Sequence, residues 1–209
     1  MLPPKAPLSH PYRPLRRLFG GAAVLSFAVA APAQAACPTT ATTKAFSRLG
    51  DSANYTLLSG ANFETGASGW SLGGASIVSG TSSVPLGATS DAKSLRVPAK
   101  ARTLSPKFCV GVEHPTFRLV ARSAGRTWAT LLVKVRWTDA RGVVNETTLG
   151  SLNSNGYASW AATPPIALAT ALPLWQSGQS VTAQLVLDPE DYGGDWQVDD
   201  IYIDPFRRT

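Results

Sequence analysis

Four carboxylates fall within eleven residues near the end of the chain, in residues 195–205 (DWQVDDIYIDP). The aromatic and β-branched residues around them predict a strand that should help to close a core. Carboxylate oxygens are ligands that Ca²⁺ prefers, and a calcium site collects six to eight oxygens from side chains and backbone carbonyls. The alternative is that these aspartates face solvent or pair with arginines.

Asp199 and Asp200 favour the cation site. Strict alternation would place Val198 and Asp200 on one side of the strand and Ile201 and Ile203 on the other, so we expect a β-bulge near Asp199. A bulge turns one aspartate toward the interior, where an unpaired charge is costly and a divalent cation would neutralise it. We therefore predict a structural Ca²⁺ at this strand.

Catalytic groups are scarce after residue 36. His114 is the one histidine there, and no G-x-S-x-G motif supplies a nucleophile. One histidine and two cysteines are too few for a zinc site if the cysteines form a disulfide. Residues 188–195 could hold a carboxylate pair for glycoside hydrolysis, but they have the composition of an acidic surface loop. We therefore expect a protein that is not an enzyme, with a small hydrolase as the alternative.

The first residues of the chain have the character of an export signal. Lys5 and three arginines precede an apolar run over residues 18–31 and an Ala-Gln-Ala sequence at 33–35. This order predicts a secretory signal peptide over residues 1–36. The apolar run is too short to cross a bilayer comfortably, so we expect no membrane attachment after cleavage. Arg16-Arg17 resembles part of a twin-arginine motif, and the export route stays open.

Residues 37–209 should form one domain with a substantial core. They hold 15 of the 19 basic residues and all 13 acidic ones, so their formal charge is +2 against +6 for the whole chain. No tract rich in Lys or Arg predicts binding to phosphate groups, and we expect no nucleic-acid partner.

Cys37 and Cys109 are the two cysteines of the chain. In an exported protein they are expected to form a disulfide. The competing interpretation makes Cys37 the lipidated first residue of a lipoprotein. Gln34 stands where lipoprotein signals usually carry an aliphatic residue, and lipidation would leave Cys109 unpaired, which favours the disulfide.

From residue 55 onward the pattern is that of strands separated by turns, preceded by a lead-in over residues 37–54. Short β-branched and aromatic runs alternate with Gly, Ser, Asn and Pro clusters, as in all-β sandwiches. Asp139-Ala140-Arg141-Gly142 predicts a hairpin turn. Nine or ten strands and no long helix predict a jelly-roll β-sandwich over residues 55–209. The predicted strands are 55–59, 75–79, 94–98, 107–112, 116–122, 131–137, 143–149, 158–161, 180–188 and 196–203.

Alternation in three of these strands also predicts a basic outer sheet face. If the apolar residues of 116–122, 131–137 and 180–188 point inward, the opposite face carries Arg118, Arg122, Lys134, Arg136 and Gln184. Arginine binds carboxylates and sulfates through two parallel hydrogen bonds, so this face predicts an acidic glycan such as a uronate-containing or teichoic-type polymer. The alternative is an ordinary solvated face.

Exposed aromatic side chains could add stacking contacts to a sugar ring. Trp160 and Trp175 lie in or beside predicted loops and are the main candidates. Trp128, Tyr157 and Tyr192 are further candidates, whereas Trp70, Trp137 and Trp196 fall at positions where the pattern predicts core.

Two motifs at the ends of the β region resemble a known family. Residues 58–66 (LSGANFETG) with Gly69-Trp70, and residues 196–204 (WQVDDIYID), resemble the ends of galactose-binding-like β-sandwich domains, especially carbohydrate-binding modules associated with xylanases and cellulases. The resemblance covers most of residues 55–206 in layout and the two ends at motif level. It implies that the first and last strands lie together and share a structural Ca²⁺. The matching positions are Glu64 and one of Asp199 or Asp200, with carbonyls from the nearby glycine turns.

The sequence thus predicts a secreted, extracellular or cell-wall-associated β-sandwich that binds polysaccharide through shallow polar and stacking contacts. The alternative is a structural or adhesive surface domain that contacts proteins through the same fold.

Overall fold

A computed structural model describes residues 37–86, 90–125, 127–174, 179–190 and 194–205. The predicted signal peptide, residues 1–36, lies outside the described residues, as do Trp175 and Tyr192. Within the described ranges, no helix is long and apolar enough to span a bilayer.

Twelve strands and two short 3₁₀ turns make up the described secondary structure. The 3₁₀ turns are Ser47–Leu49 and Ala169–Ala171. The strands are β1 (Thr56–Leu57), β2 (Ser76–Ser79), β3 (Lys93–Val97), β4 (Thr103–Leu104), β5 (Phe108–Gly111), β6 (Thr116–Ser123), β7 (Thr130–Thr138), β8 (Val144–Asn153), β9 (Ala161–Ala162), β10 (Ile166–Ala167), β11 (Ser180–Pro189) and β12 (Trp196–Ile203).

The strands form two antiparallel sheets that pack face to face. The seven-stranded sheet has the order β10-β6-β12-β3-β2, with β1 also on β12 and β9 also on β6. The five-stranded sheet has the order β4-β11-β7-β8, with β5 also on β11. The predicted all-β sandwich is therefore confirmed.

The core lies between the sheets and uses the inward positions that alternation predicts. In β6, β7 and β11 most of the inward side chains are at most 1% exposed, and Trp137 and Val181 are partly buried. The fully buried set in these three strands includes Phe117, Leu119, Ala121, Leu131, Val133, Val135, Ala183, Leu185 and Leu187. Trp70 and Trp196 are buried and Trp137 packs against the same cluster, as predicted for a core.

Most predicted strands are present, and the differences have a physical reason. β4 and β10 were not expected, because two residues are too few to show alternation. The predicted hairpin joins β7 to β8. Gly142 adopts a φ of 81°, which favours glycine, and its N–H donates to the carbonyl of Asp139 at 2.9 Å.

The first and last strands lie together, as the resemblance implied. Thr56 and Leu57 of β1 pair with Ile203 and Tyr202 of β12. The register of β12 against β6 shifts between Asp199 and Tyr202, which confirms the predicted irregularity at the aspartates. The bulge lets both aspartates and Ile201 be buried in one short segment.

The lead-in covers part of the outer face of the seven-stranded sheet. Phe46 and Tyr55 pack with Tyr202 in a second buried cluster, with edge-on ring contacts to Phe46 at 4.8 and 5.6 Å between centroids. Thr43 and Tyr55 form an isolated antiparallel bridge. The predicted disulfide joins Cys37 to Cys109 in β5, so the lead-in is tied to the five-stranded sheet.

Candidate functional site

The aspartate pair, Asp199 and Asp200, lies almost entirely out of contact with water. Asp199 is 1% exposed and Asp200 is 3% exposed. One carboxylate oxygen of Asp199 accepts hydrogen bonds from the Thr81 hydroxyl and the Ser82 N–H, both at 3.0 Å. Its other oxygen accepts from the N–H of Asp200 at 3.0 Å. Asp199 is thus held by the segment that follows β2.

The Asp200 carboxylate has fewer hydrogen bonds than that of Asp199. Its φ of 50° is in the left-handed region, which is the local consequence of the bulge. Its Oδ1 atom is buried and has no hydrogen-bond partner among the described residues. A buried polar atom without a partner is costly, so this oxygen is suited to a ligand that supplies positive charge.

Burial raises the pKa values of both Asp199 and Asp200. Burial raises the pKa of Asp199 to about 6, against the lowering effect of the hydrogen bonds from Ser82 and Thr81. Burial, and then the charges of Asp199, Asp91 and Glu64, raise the pKa of Asp200 to about 7. Removal of the protons therefore places two like charges at one buried point.

Glu64 lies close enough to repel both aspartates electrostatically. Its Oε1 accepts hydrogen bonds from the N–H groups of Ala92 and Lys93 at 2.9 and 2.7 Å, and Lys93 Nζ donates to the Glu64 carbonyl at 2.7 Å. These bonds fix the segment that leads into β3 beside β12. Asp91 of this segment was missed in the sequence, because nothing local says that β3 pairs with β12.

The residues at this point offer the type of donor atom that a divalent cation takes, but not yet the spacing. Four carboxylates lie here, those of Glu64, Asp91, Asp199 and Asp200, and carboxylate oxygens are ligands of the kind Ca²⁺ takes. One of their oxygens, Oδ1 of Asp200, is buried without a hydrogen-bond partner among the described residues. Glu64, Asp199 and Asp200 do not all have ligand atoms within 4.8 Å of one another, so these carboxylates would have to move closer together to hold one ion. The described set that meets this spacing is Cys37, Glu113 and His114. Cys37 is in a disulfide, so that set is not a metal site.

The predicted single basic face is wrong. Arg118 and Arg122 lie on β6 in the seven-stranded sheet, whereas Lys134, Arg136 and Gln184 lie on β7 and β11 in the five-stranded sheet. Outward positions of the two sheets face opposite sides of a sandwich. Alternation identified the outward side chains correctly but could not say which sheet each strand joins.

Arg118 is also not available to a ligand. It is 8% exposed, and its Nε donates to the Thr163 carbonyl at 2.8 Å. Its Nη1 donates to Asp51 at 2.8 Å and the guanidinium stacks 4.0 Å from the ring centroid of Phe46. Arg118 therefore fastens the lead-in to the seven-stranded sheet.

Arg122 and Trp160 lie together further along the seven-stranded sheet. The Arg122 guanidinium is 5.1 Å from the ring centroid of Trp160, and Arg122 Nε donates to Gln197 Oε1. Trp160 is partly buried. The two predicted ligand residues thus contact each other, on a different sheet from Lys134 and Arg136.

The outer face of the five-stranded sheet carries a network of charged side chains. Lys134 Nζ donates to Asp188 at 2.6 Å and lies 3.8 Å from Glu146. Arg102 contacts Asp188 at 3.4 Å and also pairs with Glu146. Two cations and two acids thereby neutralise each other, and Lys134 is a poor candidate for binding an anion.

A groove of about 320 Å³ lies next to this charge network. Gln184 lies opposite Arg136 in the register of β11 and β7, and both line the groove with the exposed Lys107. Among the described residues, neither Lys107 nor Arg136 forms an ion pair. The groove is also lined by Trp137, Thr138, Val144 and Thr182.

The described residues considered for catalysis are engaged in other contacts. His114 is buried at a turn, and its Nδ1 accepts a hydrogen bond from the Gly111 N–H at 3.0 Å. Asp188 belongs to the charge network of the sheet face. Residues 191–193 of the acidic segment lie outside the described residues.

Several solved structures of carbohydrate-binding modules are similar to this chain. The CBM22-1–GH10 modules of a Clostridium thermocellum endo-1,4-β-D-xylanase, complexed with xylohexaose, share 14% identity over 71% of this chain and 28% of that chain, with a TM-score of 0.49. The CBM22-1 xylan-binding domain from Paenibacillus barcinonensis shares 17% identity over 71% of this chain and 93% of that domain, with a TM-score of 0.48. A family 11 module from Clostridium thermocellum, in complex with a β-1,3-1,4-mixed-linked tetrasaccharide, shares 14% identity over 71% of this chain and 94% of that module, with a TM-score of 0.41.

No protein-family model and no curated protein matches the chain. The similarity to solved structures is therefore one of strand arrangement, and the function has to be argued from this chain's own residues.

Proposed function

We propose that this protein binds an extracellular or cell-wall polysaccharide through the outer face of its five-stranded sheet, and that it favours glycans with carboxylate groups. The observation that carries the proposal is the groove in which Lys107 and Arg136 lie without an acidic partner among the described residues. The protein would act by binding alone, without chemistry on the glycan.

The groove offers the contacts that an acidic sugar needs. The Arg136 guanidinium can donate two parallel hydrogen bonds to a carboxylate, and Lys107 adds a second positive charge. The Gln184 amide nitrogen donates to the Ser105 carbonyl at 2.7 Å, which fixes the side chain and leaves its oxygen to accept from a sugar hydroxyl. The Thr138 and Thr182 hydroxyls extend the same polar lining.

The neighbouring charge network supports a fixed site. Glu146 lies opposite Arg136 in the register of β8 and β7 but pairs with Arg102 and Lys134. Glu146 is therefore already engaged, and Arg136 does not have to exchange a strong internal partner for the ligand. A site that is charged and prepared before binding loses less free energy to rearrangement.

Titration calorimetry against polygalacturonate and a neutral xylan tests the proposal. The Lys107→Ala/Arg136→Ala variant should bind polygalacturonate about tenfold more weakly or worse, a loss of roughly 1.4 kcal/mol or more. Arg141→Ala is the matched control, because Arg141 is exposed at the hairpin and pairs locally with Asp139. Equal binding by both variants and the wild type, or heat that fails to appear with any polysaccharide, would reject the proposal.

We also propose that Ca²⁺ binds at Glu64, Asp199 and Asp200, with Asp91 as a further carboxylate. Its support is the buried, unpartnered oxygen of Asp200 and the crowding of four like charges. The ion would join the segment before β3 to the bulge of β12 and so act on stability. The groove lies on the other sheet, which implies no direct contact between ion and glycan.

The proposed location is outside the cytoplasm. The Cys37–Cys109 disulfide and the sandwich fold are consistent with an extracellular protein. We propose export by cleavage of residues 1–36, which amino-terminal sequencing of the secreted protein would test by finding Cys37 as the first residue. A mature protein that starts elsewhere would contradict this cleavage site.

A further inference from the structure

We infer that the reduced protein binds one Zn²⁺ ion where the oxidised protein has its disulfide, through the thiolates of Cys37 and Cys109 and the side chains of Glu113 and His114. The ion would hold the lead-in to the five-stranded sheet in place of the covalent bond. With the disulfide closed these residues hold no ion. The inference concerns the reduced form, which precedes the disulfide during folding, and it is independent of glycan binding.

Three of the four ligand groups already lie together. Ligand atoms of Cys37, Glu113 and His114 are all within 4.8 Å of one another. His114 Nδ1 is 3.7 Å from Glu113 Oε1. Two ligands on a tetrahedral zinc ion, each bonded at about 2.0–2.1 Å, lie about 3.3 Å apart, so this nitrogen and oxygen are already close to the required spacing. Cys109 supplies the fourth ligand, because its sulfur is bonded to that of Cys37.

The types of ligand select zinc over the other common cations. Thiolate, imidazole and carboxylate are the groups that Zn²⁺ takes in structural sites, which are closed by four protein ligands. Ca²⁺ and Mg²⁺ take oxygen ligands, whereas sulfur favours zinc and other softer metals. The carboxylates around Asp200 offer oxygen alone, so the two candidate sites differ in the metal that they would bind.

The His114 imidazole offers an unprotonated nitrogen. His114 is buried, and its Nδ1 accepts a hydrogen bond from the Gly111 N–H at 3.0 Å. An accepting nitrogen carries a lone pair and no proton, which is the form that binds a metal ion. Zinc would replace the Gly111 N–H at this atom, so one hydrogen bond is exchanged for one metal–ligand bond.

Gly111 fixes the position of the Glu113 carboxylate. The His114 N–H donates to the Gly111 carbonyl at 3.0 Å, and this turn brings Glu113 and His114 back beside β5. A methyl group on Gly111 would overlap the carboxylate of Glu113. Since that carboxylate is the end of a flexible side chain, a larger residue at 111 should displace it and leave the fold intact.

The lead-in keeps Cys37 near Cys109 after the covalent bond is broken. Cys37 stands three residues before Thr40. The Thr40 and Thr56 hydroxyls share a hydrogen bond of 2.9 Å, and Thr43 and Tyr55 exchange backbone hydrogen bonds of 2.8 and 2.7 Å. These contacts fasten the lead-in beside β1 and do not depend on the disulfide.

A cleft gives reductant and metal access to the sulfurs. It has a volume of about 350 Å³, and its lining includes Cys37, Cys109 and His114. Both cysteines are partly exposed. A dithiol that reduces the bond is oxidised to its own disulfide and passes two electrons and two protons to the cysteine sulfurs, which become thiols. Zinc then displaces both thiol protons as it binds.

The test compares the oxidised and the reduced wild-type protein. The reduced sample is treated with dithiothreitol and freed of it under nitrogen, and both samples are exposed to ZnCl₂ and passed through gel filtration. The reduced protein should retain one more zinc ion per chain than the oxidised protein. With CoCl₂ in place of zinc, the reduced protein should show thiolate-to-cobalt charge-transfer absorption, which carboxylate ligands cannot produce. The carboxylates around Asp200 are present in both samples, so they cannot account for the difference.

Variants separate a built site from two thiolates that happen to be adjacent. Glu113→Gln and His114→Ala should each weaken zinc binding by the reduced protein at least about tenfold. Gly111→Ala should weaken it less, because it moves the carboxylate without removing a ligand. Glu190→Gln is the matched control, since Glu190 is exposed and follows the end of β11 that lies away from β5.

Hydrogen exchange at the Tyr55 amide reports whether the ion holds the lead-in. Reduction should lower the protection of this amide, and zinc should restore it. Equal zinc content in the oxidised and reduced protein, or a cobalt spectrum without thiolate absorption, would reject the site. Wild-type zinc affinity in both Glu113→Gln and His114→Ala would also reject it, because the thiolates alone would then bind the ion. Protection that zinc fails to restore would reject the anchoring role.

Discussion

The two outer faces of the sandwich carry similar side chains but are used differently. On the seven-stranded sheet, Arg118 is covered by the lead-in and bonded to Asp51, Thr163 and the ring of Phe46. On the five-stranded sheet, Arg136 lies in an open groove and has no ion pair among the described residues. An outward arginine is therefore either a fastener or a ligand-binding group, depending on what the rest of the chain places over it.

The lead-in is what makes the faces different. It contributes aromatic rings and a carboxylate to the seven-stranded sheet, and its first residue is bonded to β5 of the other sheet. One segment thus covers one sheet, is anchored on the second and leaves the outer face of the second open around the groove.

Removal of the disulfide should have the largest effect on stability. Cys37 and Cys109 are 72 residues apart, and closing such a loop contributes about 4 kcal/mol in the chain-entropy account of disulfides. Cys37→Ser/Cys109→Ser should lower the free energy of unfolding by up to that amount in urea denaturation and loosen the lead-in first. Unchanged unfolding together with unchanged protection of the Tyr55 amide from hydrogen exchange would show that the lead-in does not need this anchor.

Arg118→Ala should have the next largest effect on stability, because it removes the contacts that hold the lead-in on the seven-stranded sheet. It leaves the Thr163 carbonyl unpaired and Asp51 without its guanidinium, while Asp51 keeps a hydrogen bond from Tyr55 at 2.7 Å. The expected loss is about 2–3 kcal/mol, since Asp51 is partly exposed and solvent replaces part of the interaction.

The matched control for this variant is Arg136→Ala on the open face, which should cost at most about 0.5 kcal/mol. A similar loss of stability in the two variants would contradict the distinction between the faces.

Calcium should stabilise the protein in a pH-dependent way. The pKa values of Asp199 and Asp200 are raised to about 6 and about 7 in the folded protein, so between about pH 4 and 7 the folded state binds more protons than the unfolded state. Without a cation, these two groups therefore make stability fall as pH rises through that window. Since Ca²⁺ displaces the protons, the rise in Tm on adding 1 mM CaCl₂ should be several degrees at pH 8 and close to zero at pH 5.

The Asp199→Asn/Asp200→Asn variant is the control for the calcium experiment. It removes both charges, so its stability should vary less between pH 5 and pH 8 and its Tm should not respond to Ca²⁺. A wild-type Tm that is unmoved by CaCl₂ and by EDTA at pH 8 would reject the cation site. Glycan binding in the groove should be unaffected by either result, because the groove lies on the other sheet.

Much of the fold could be read from local patterns. The inward faces of β6, β7 and β11 follow strict alternation, and the bulge at Asp199 follows from the conflict between that alternation and the apolar residues after it. The disulfide follows from the two cysteines and the predicted export signal. Each of these predictions needs only neighbours in sequence or a simple count of residue types.

The candidate sites were only partly predictable for the opposite reason. Arg118 and Arg136 have the same local pattern, but β6 pairs with β12 and β7 pairs with β11 and β8, and no short stretch encodes those partners. Lys107 and Asp91 were missed because the groups that they lie near are distant in sequence. Lys107 lines the groove with Arg136 and Gln184, and Asp91 lies near Asp200.

By itself, then, the sequence determined the longer strands, their inward sides and the chemistry available at each position, because alternation and residue type are local properties. Only the tertiary structure decided which arginine is covered, which groove is open and which carboxylates meet. Those outcomes depend on pairing between distant strands and on where the lead-in packs.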